Sequence, residues 1–365
     1  MNRGNQLVIG LGVIGCGRVA QQRHLPIIHS MPETKLVGVF DIHPETRKKV
    51  AERYNLDDVY EDYRQLVASE QIDAVAVTTP TQFHAEIAIA ALSAGKHVII
   101  EKPLALSLDE VDQLQAAAAA AGRIVAVAMN SRWHRLAREA REIVRGGTLG
   151  GIGLLRSAFT DGFRRNEQPR PWMMRHDLAG SVLVEQAVHH FDLWQFLLDT
   201  EVESIYATML EPMTLNERAA VTATMANGVI ASAIFTEGLK GANELEIYGQ
   251  DGRLRVSLYD FDGLDVTPRS EYPGSMKTRA RRLKQALVAF PGAIQRARTG
   301  GDWAGSYQSE WQHFVQCIRD AKQPECGLRE GRRALQVGLA AMASLSSGMP
   351  IQTAAAPRTI IPYAQ

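Results

Sequence analysis

Short apolar runs alternate with stretches of helical periodicity through the first third of the chain. Residues 7–14, 36–40, 74–78, 97–100 and 124–129 are near-continuous apolar runs, the pattern of strands buried on both faces. Between them, residues 18–29, 44–54, 82–94 and 109–121 predict helices. Gly95 and Gly122 close the last two, and Pro44 sits where a first helical turn accepts proline. Strands alternating with helices at this spacing predict a doubly wound parallel sheet. This α/β domain is assigned to residues 1–130.

The pattern then changes. Residues 150–163 predict a strand and residues 184–198 a helix. From residue 203 onward the runs IYATML, AAVTATM, GVIASAIF, ELEIYG and RLRVSLY alternate apolar and polar positions, as antiparallel strands with one covered face do. Asn227-Gly228 and Asp251-Gly252 are hairpin signals. Helices over 304–321 and 329–346 are expected to pack on this sheet or on the first domain. The second domain, residues 131–365, is therefore expected to be α+β with an open, mainly antiparallel sheet.

Composition narrows the class. With 365 residues the chain is too long for one ordinary core. Lys plus Arg and Asp plus Glu are 40 each, so no net charge draws nucleic acid or an acidic membrane. No nucleic-acid or membrane partner is expected. Cys16, Cys317 and Cys326 are few and odd in number, which suggests a reducing, cytoplasmic setting without disulfides. No signal peptide is read at the start, and no apolar run reaches about 18 residues. Residues 272–301 carry Lys277, Arg279, Arg281, Arg282, Lys284, Arg296 and Arg298 with no acid after Tyr272 until Asp302. A solvated helix face, or a surface against an acidic part of the same oligomer, is the expected reading, ahead of a membrane-surface or polyanion contact and of a phosphorylated or nucleotide-linked substrate.

Gly15-Cys16-Gly17-Arg18-Val19-Ala20 fits G-x-G-x-x-G/A between a predicted strand and a predicted helix. Gly15 permits the turn, Gly17 lets backbone approach a pyrophosphate, and Ala20 lets helix and strand sit close. A dinucleotide is the expected ligand. Asp41 ends the next strand and could accept both ribose hydroxyls while repelling a 2′-phosphate, which favours NAD over NADP. It could also cap the helix at Pro44. Thr78, Thr79, Pro80 and His84 follow another strand end, where they could line the nicotinamide ribose or cap the next helix. Glu101 and Lys102 close the run HVIIEKPLA at the same edge of the sheet.

Oxidation of an alcohol needs a group that takes the hydroxyl proton. Lys102 is the candidate, with Pro103 restricting the chain beside it. Glu185, His189 and Asp192 fall on one face of a predicted helix, so His189 could hold a substrate hydroxyl or share its proton with Lys102. A metal site is the rival reading. It is not favoured, since H-E-x-x-H is missing and His189 and His190 diverge. His190 is read as a core histidine, and His24 as a packing or surface one. Arg164, Arg165, Trp172, Arg175 and His176 precede this helix. Trp172 is the candidate pocket wall, by stacking on a sugar ring.

With these residues in view, the chain resembles the glucose-fructose oxidoreductase, inositol dehydrogenase and MocA family. The segments GVIGCGRVA, VAVTTP, AGKHVIIEKPLA, MNSRWH, GGTLGGIG and AGSVLVEQAVHHFDL carry the resemblance. It implies an NAD(P)-binding first domain, a substrate site on the second, and dimers or tetramers formed through the second-domain sheet. It implies a proton-transfer role for Lys102 and an active-site role for His189. Glu185 stands where many members have an aspartate, and Ala187 where glycine is common. Arg132 matches an arginine that is structural or substrate-facing. The implied activity is oxidoreduction at a secondary hydroxyl of a sugar, cyclitol or sugar derivative. Glycoside hydrolysis by transient redox, and ligand sensing without catalysis, remain the alternatives.

Overall fold

The structure, a computed structural model, describes residues 8–161, 181–210, 217–237, 239–272 and 274–360. The chain divides into two units, one of residues up to Met129 with Tyr307–Arg332, the other of Asn130–Ser306 with the residues from Arg333 onward.

The first unit is built on six parallel strands: β1 Ile9–Ile14, β2 Thr34–Phe40, β3 Asp58–Val59, β4 Ala74–Val77, β5 His97–Glu101 and β6 Val125–Ala128, in the order β3-β2-β1-β4-β5-β6. β1, β4 and β6 are buried along their whole length, which is why their sequences read as unbroken apolar runs. The strand order reverses between β1 and β4. Ligands of such sheets collect at the carboxyl ends on either side of that reversal, where Gly15 and Thr78 stand. β3 is two residues long and leaves no periodic trace in the sequence. Trp311, Phe314 and Val315 pack into the same core as Ile9, Leu11 and Val13.

Helix runs from Arg18 to Ser30, with a π-helical turn at Ala20–His24. The π-turn places Ala20 and His24 in the interior. The helix Leu108–Ala121 starts on a capping box of Ser107 and Glu110 and ends at Gly122 with φ 60°.

The second unit is an eight-stranded sheet. β7 Ile152–Asp161, β8 Val202–Leu210, β9 Arg218–Met225, β10 Ile230–Glu237, β11 Ala242–Gly249, β12 Gly252–Ser257, β13 Leu264–Pro268 and β14 Ile351–Gln352 lie in the order β13-β12-β11-β7-β10-β9-β8-β14. Only β7 and β10 are parallel neighbours; every other pairing is antiparallel. Both expected hairpins form, at Asn227-Gly228 between β9 and β10 and at Asp251-Gly252 between β11 and β12. Ala207, Val221, Ala231, Ala233 and Phe235 are buried on one face. Leu154, Tyr206, Ile230 and Ile234, brought to the other face by strand register, are exposed.

The basic segment forms the helix Met276–Ala297. Four of its cations are paired: Lys277 with Glu271, Arg281 and Arg282 with Asp265, and Arg296 with Asp302. The helix predicted over 184–198 is two pieces, Val182–Glu185 and Ala187–Leu198. Gln186, at φ −106° and ψ −46°, interrupts it, and the His189 N–H donates to the Gln186 carbonyl at 3.1 Å. Gln186 keeps right-handed helical angles, so the two pieces follow one another directly. At the start of this region Glu217 accepts both the Ser181 hydroxyl and the Val182 N–H, each at 2.7 Å.

Candidate functional site

Gly15 turns the chain at φ +94° and donates its N–H to the Phe40 carbonyl. A Cβ there would lie 2.7 Å from the Thr78 carbonyl carbon, so β1 and β4 approach as closely as they do only with glycine. Thr78 closes the contact by donating its hydroxyl to the Gly15 and Ile14 carbonyls. Gly17 differs: a Cβ built on it meets nothing within 4 Å. Its missing side chain faces open room at the head of a helix, where a pyrophosphate can be held by backbone N–H groups. The Thr79 hydroxyl and the Gln82 side-chain carbonyl are buried with no hydrogen-bond partner among the described residues. These features fit a dinucleotide.

Asp41 is buried. Its Oδ2 accepts the Cys16 N–H at 2.7 Å and its Oδ1 the His43 N–H at 2.9 Å. The carboxylate thus shapes the glycine turn as well as being the expected ribose acceptor, and each oxygen keeps a further lone pair. Burial, then the Asp41 charge, pushes the Cys16 thiol up to about 12, which leaves it unreactive. Arg47, not singled out in the sequence, donates to the Asp41 carbonyl at 2.7 Å. Its position one turn into the helix after Pro44 was the available signal. Arg18 and Val19 open that first helix, Arg18 exposed and Val19 half-buried.

Pro80 precedes the short turn Thr81–Phe83. His84 is buried and ties two strand ends together, its Nδ1 2.9 Å from the Pro103 carbonyl and its Nε2 2.9 Å from the Thr79 carbonyl. Lys102 follows β5 and is half-buried, with a cis peptide to Pro103. Its N–H donates to Glu101 Oε2 at 3.0 Å, and Glu101 Oε1 lies 2.9 Å from His24 Nε2. His24, read as a packing or surface residue, is buried and is also joined to the strand end that bears Lys102.

In the second unit His189 is buried, 8% exposed, with its ring at the edge of Phe159. Glu185 is half-buried. His190 is fully buried, stacks on Phe159 and bonds Asn243 Oδ1 at 3.0 Å. Burial pushes it down to about 4, so it is a neutral core residue. Asp192 is joined to Arg132 by two hydrogen bonds in the interior. Trp172, with Arg164, Arg165, Arg175 and His176, lies outside the described residues. Among the described residues no group of three His, Cys, Asp or Glu side chains is placed to hold a metal ion. No helix among them is long and apolar enough to cross a membrane.

A model described as "Oxidoreductase family, NAD-binding Rossmann fold" matches residues 9–129, and the "GFO/IDH/MocA C-terminal domain" matches residues 137–255. Myo-inositol 2-dehydrogenase of Thermotoga maritima is 26% identical over 92% of this chain and 96% of its own length. The scyllo-inositol 2-dehydrogenase (NAD(+)) of Bacillus subtilis is 26% identical over 93% of this chain and 95% of its own. The structure of a levoglucosan dehydrogenase in complex with NADH and levoglucosan shares the fold, with a TM-score of 0.79, 20% identity, and coverage of 94% of this chain and 99% of that one.

Proposed function

The chain belongs to the GFO/IDH/MocA oxidoreductase family, whose first domain is an NAD-binding Rossmann fold, and on that premise we propose that it oxidises a secondary hydroxyl of a sugar, cyclitol or sugar derivative, or reduces the matching ketone. The observation that carries this reading is Lys102 at the carboxyl end of β5, its backbone held by Glu101 on the edge of the sheet where Gly15 and Gly17 form the nucleotide turn. Relatives named for inositols and levoglucosan support the substrate class.

NAD, when bound, supplies the hydride acceptor. Gly15, Cys16, Gly17, Arg18, Val19 and Ala20 would hold its pyrophosphate, Asp41 its adenine-side ribose, and Thr78, Thr79 and Pro80 the nicotinamide end. Lys102 takes the hydroxyl proton as the carbonyl forms and returns it in reduction. His189 accepts a hydrogen bond from a substrate hydroxyl, and Glu185 holds a neighbouring one. Arg132 and Asp192 hold the helix that carries His189 through their ion pair. The exposed apolar face of Leu154, Tyr206, Ile230 and Ile234 supports assembly of a homodimer or homotetramer through the sheet. Three buried free cysteines support a reducing, cytoplasmic setting.

The test is a panel of inositols, aldoses, uronic acids and anhydrosugars, followed by NADH absorbance for wild type and Lys102→Ala. The variant is expected to bind NAD normally and to lose about 10²- to 10⁴-fold in kcat. Undiminished turnover would remove the proton role from Lys102. Product formation without net NADH release would point to hydrolysis by transient redox, and binding without turnover to sensing.

A further inference from the structure

His24 is 1% exposed and sits at the end of the π-turn, where helix geometry aims it inward. Its Nδ1 lies 3.1 Å from the indole Nε1 of Trp311. An indole N–H only donates, so Nδ1 is an acceptor and carries no proton. The ring proton is on Nε2, and it is donated to Glu101 Oε1 at 2.9 Å. Glu101 in turn accepts the Lys102 N–H through its other oxygen. Tyr307 packs near-perpendicular to the same ring, 5.8 Å between centroids. The chain of contacts thus runs from Trp311 through His24 and Glu101 to the backbone of Lys102, with one tautomer permitted throughout.

We propose that His24 is a positioning residue for the reaction: in the tautomer imposed by Trp311, it anchors the Glu101 carboxylate in one orientation and thereby fixes the backbone from which the Lys102 side chain leaves. The proposal rests on the proton-transfer role given to Lys102 above. A carboxylate with one oxygen on the Nε2–H and the other on the Lys102 N–H cannot rotate without breaking a charge-assisted bond. Both oxygens of the Glu101 carboxylate accept N–H hydrogen bonds, which favours the charged form over the acid. The anchor is therefore an anion at neutral pH. A side chain one ångström out of place is enough to cost most of a proton transfer's rate.

Three variants and one spectrum test this. His24→Leu removes the donor. His24→Gln keeps an amide N–H for Glu101 and an amide oxygen for the indole. Trp311→Phe removes the constraint on the tautomer. His24→Leu is expected to lose about 10- to 100-fold in kcat, as loss of an orienting partner does, with the NAD dissociation constant within about twofold of wild type. His24→Gln is expected to restore kcat to within about threefold of wild type. In the wild-type protein without cofactor, the imidazole ¹⁵N shifts of the signal lost in His24→Gln should show a bare Nδ1 and a protonated Nε2. A protonated Nδ1, unchanged kcat in His24→Leu, or equal losses in the Leu and Gln variants would overturn the proposal. Those results would leave the dehydrogenase reading standing, provided Lys102→Ala remains inactive. Full turnover by Lys102→Ala would remove the proton role from Lys102, and this proposal with it, while the oxidoreduction itself would stand.

Discussion

Asp192 meets the Arg132 guanidinium with both carboxylate oxygens, Oδ2 2.5 Å from Nε and Oδ1 2.7 Å from Nη2. Arg132 is 6% exposed and Asp192 1%, and Phe196 lies under the guanidinium at 5.0 Å. The pair is bidentate and engages the charge of each with the other. Removing one partner takes a buried, bidentate ion pair from the other. Asp192→Ala should therefore destabilise the protein by about 3–5 kcal/mol, seen as a fall in melting temperature of roughly 10 °C. The double replacement Arg132→Met with Asp192→Leu should recover much of that loss. An Asp192→Ala protein that melts normally and differs only in KM would return the residue to the substrate.

The two glycines of the nucleotide turn should fail differently. Gly15→Ala forces a side chain into the left-handed region and against the Thr78 backbone, so it should lower stability by about 1–3 kcal/mol. Gly17→Val adds bulk in open room. Its melting curve without cofactor should match wild type, while its NAD affinity falls by at least about tenfold, or roughly 1.4 kcal/mol. Calorimetric melting paired with fluorescence titration of NAD separates the two. Normal NAD binding by Gly17→Val would place the phosphates elsewhere.

Much of this architecture was legible because it is written locally. The strands of the first unit announce themselves as apolar runs, the turn from Gly15 to Ala20 as glycine spacing, and the hairpins at Asn227 and Asp251 as turn chemistry. What was hidden depends on residues far apart. Nothing around His24 points to Trp311, 287 positions later. Nothing around Asp192 points to Arg132, 60 positions earlier. The break at Gln186 was hidden for another reason: apolar spacing continues unbroken across it, so periodicity alone predicts one helix. β14 escaped because two residues carry no period.

Stability should fall on mild acidification through two histidines of the second unit. Burial pushes both His134 and His190 down to about 4. In the unfolded chain each titrates near 6.5. Between those values the unfolded state binds more protons, so stability falls as pH drops from 6.5 toward 4 and is full above 6.5. Each site contributes about 3 kcal/mol over the whole window. Melting temperature measured from pH 7.5 down to 4.5 should show this slope, and His190→Asn should make it shallower. A flat profile in wild type would mean that these rings are not buried in the neutral form.

Cofactor choice should turn on Asp41. Its carboxylate is fixed by the Cys16 and His43 N–H groups at the end of β2, so an adenine-side ribose would meet a fixed anion. A 2′-phosphate brought there would face like charge. Arg47 offers no ready compensation from its place on the Asp41 carbonyl and beside Phe40. Wild-type protein should therefore bind NAD at least about tenfold more tightly than NADP. Asp41→Ser removes the repelling charge and keeps a small polar acceptor for the turn. It should weaken NAD and strengthen NADP, narrowing or reversing the ratio, as Arg47 can exchange the residue 41 carbonyl for a phosphate, the stronger acceptor, once the repelling carboxylate is gone. Adding Arg47→Ala to Asp41→Ser should withdraw the NADP gain. Calorimetric titration of both nucleotides against the three proteins decides the matter. A wild-type preference for NADP would show that Asp41 serves the turn and not the ribose.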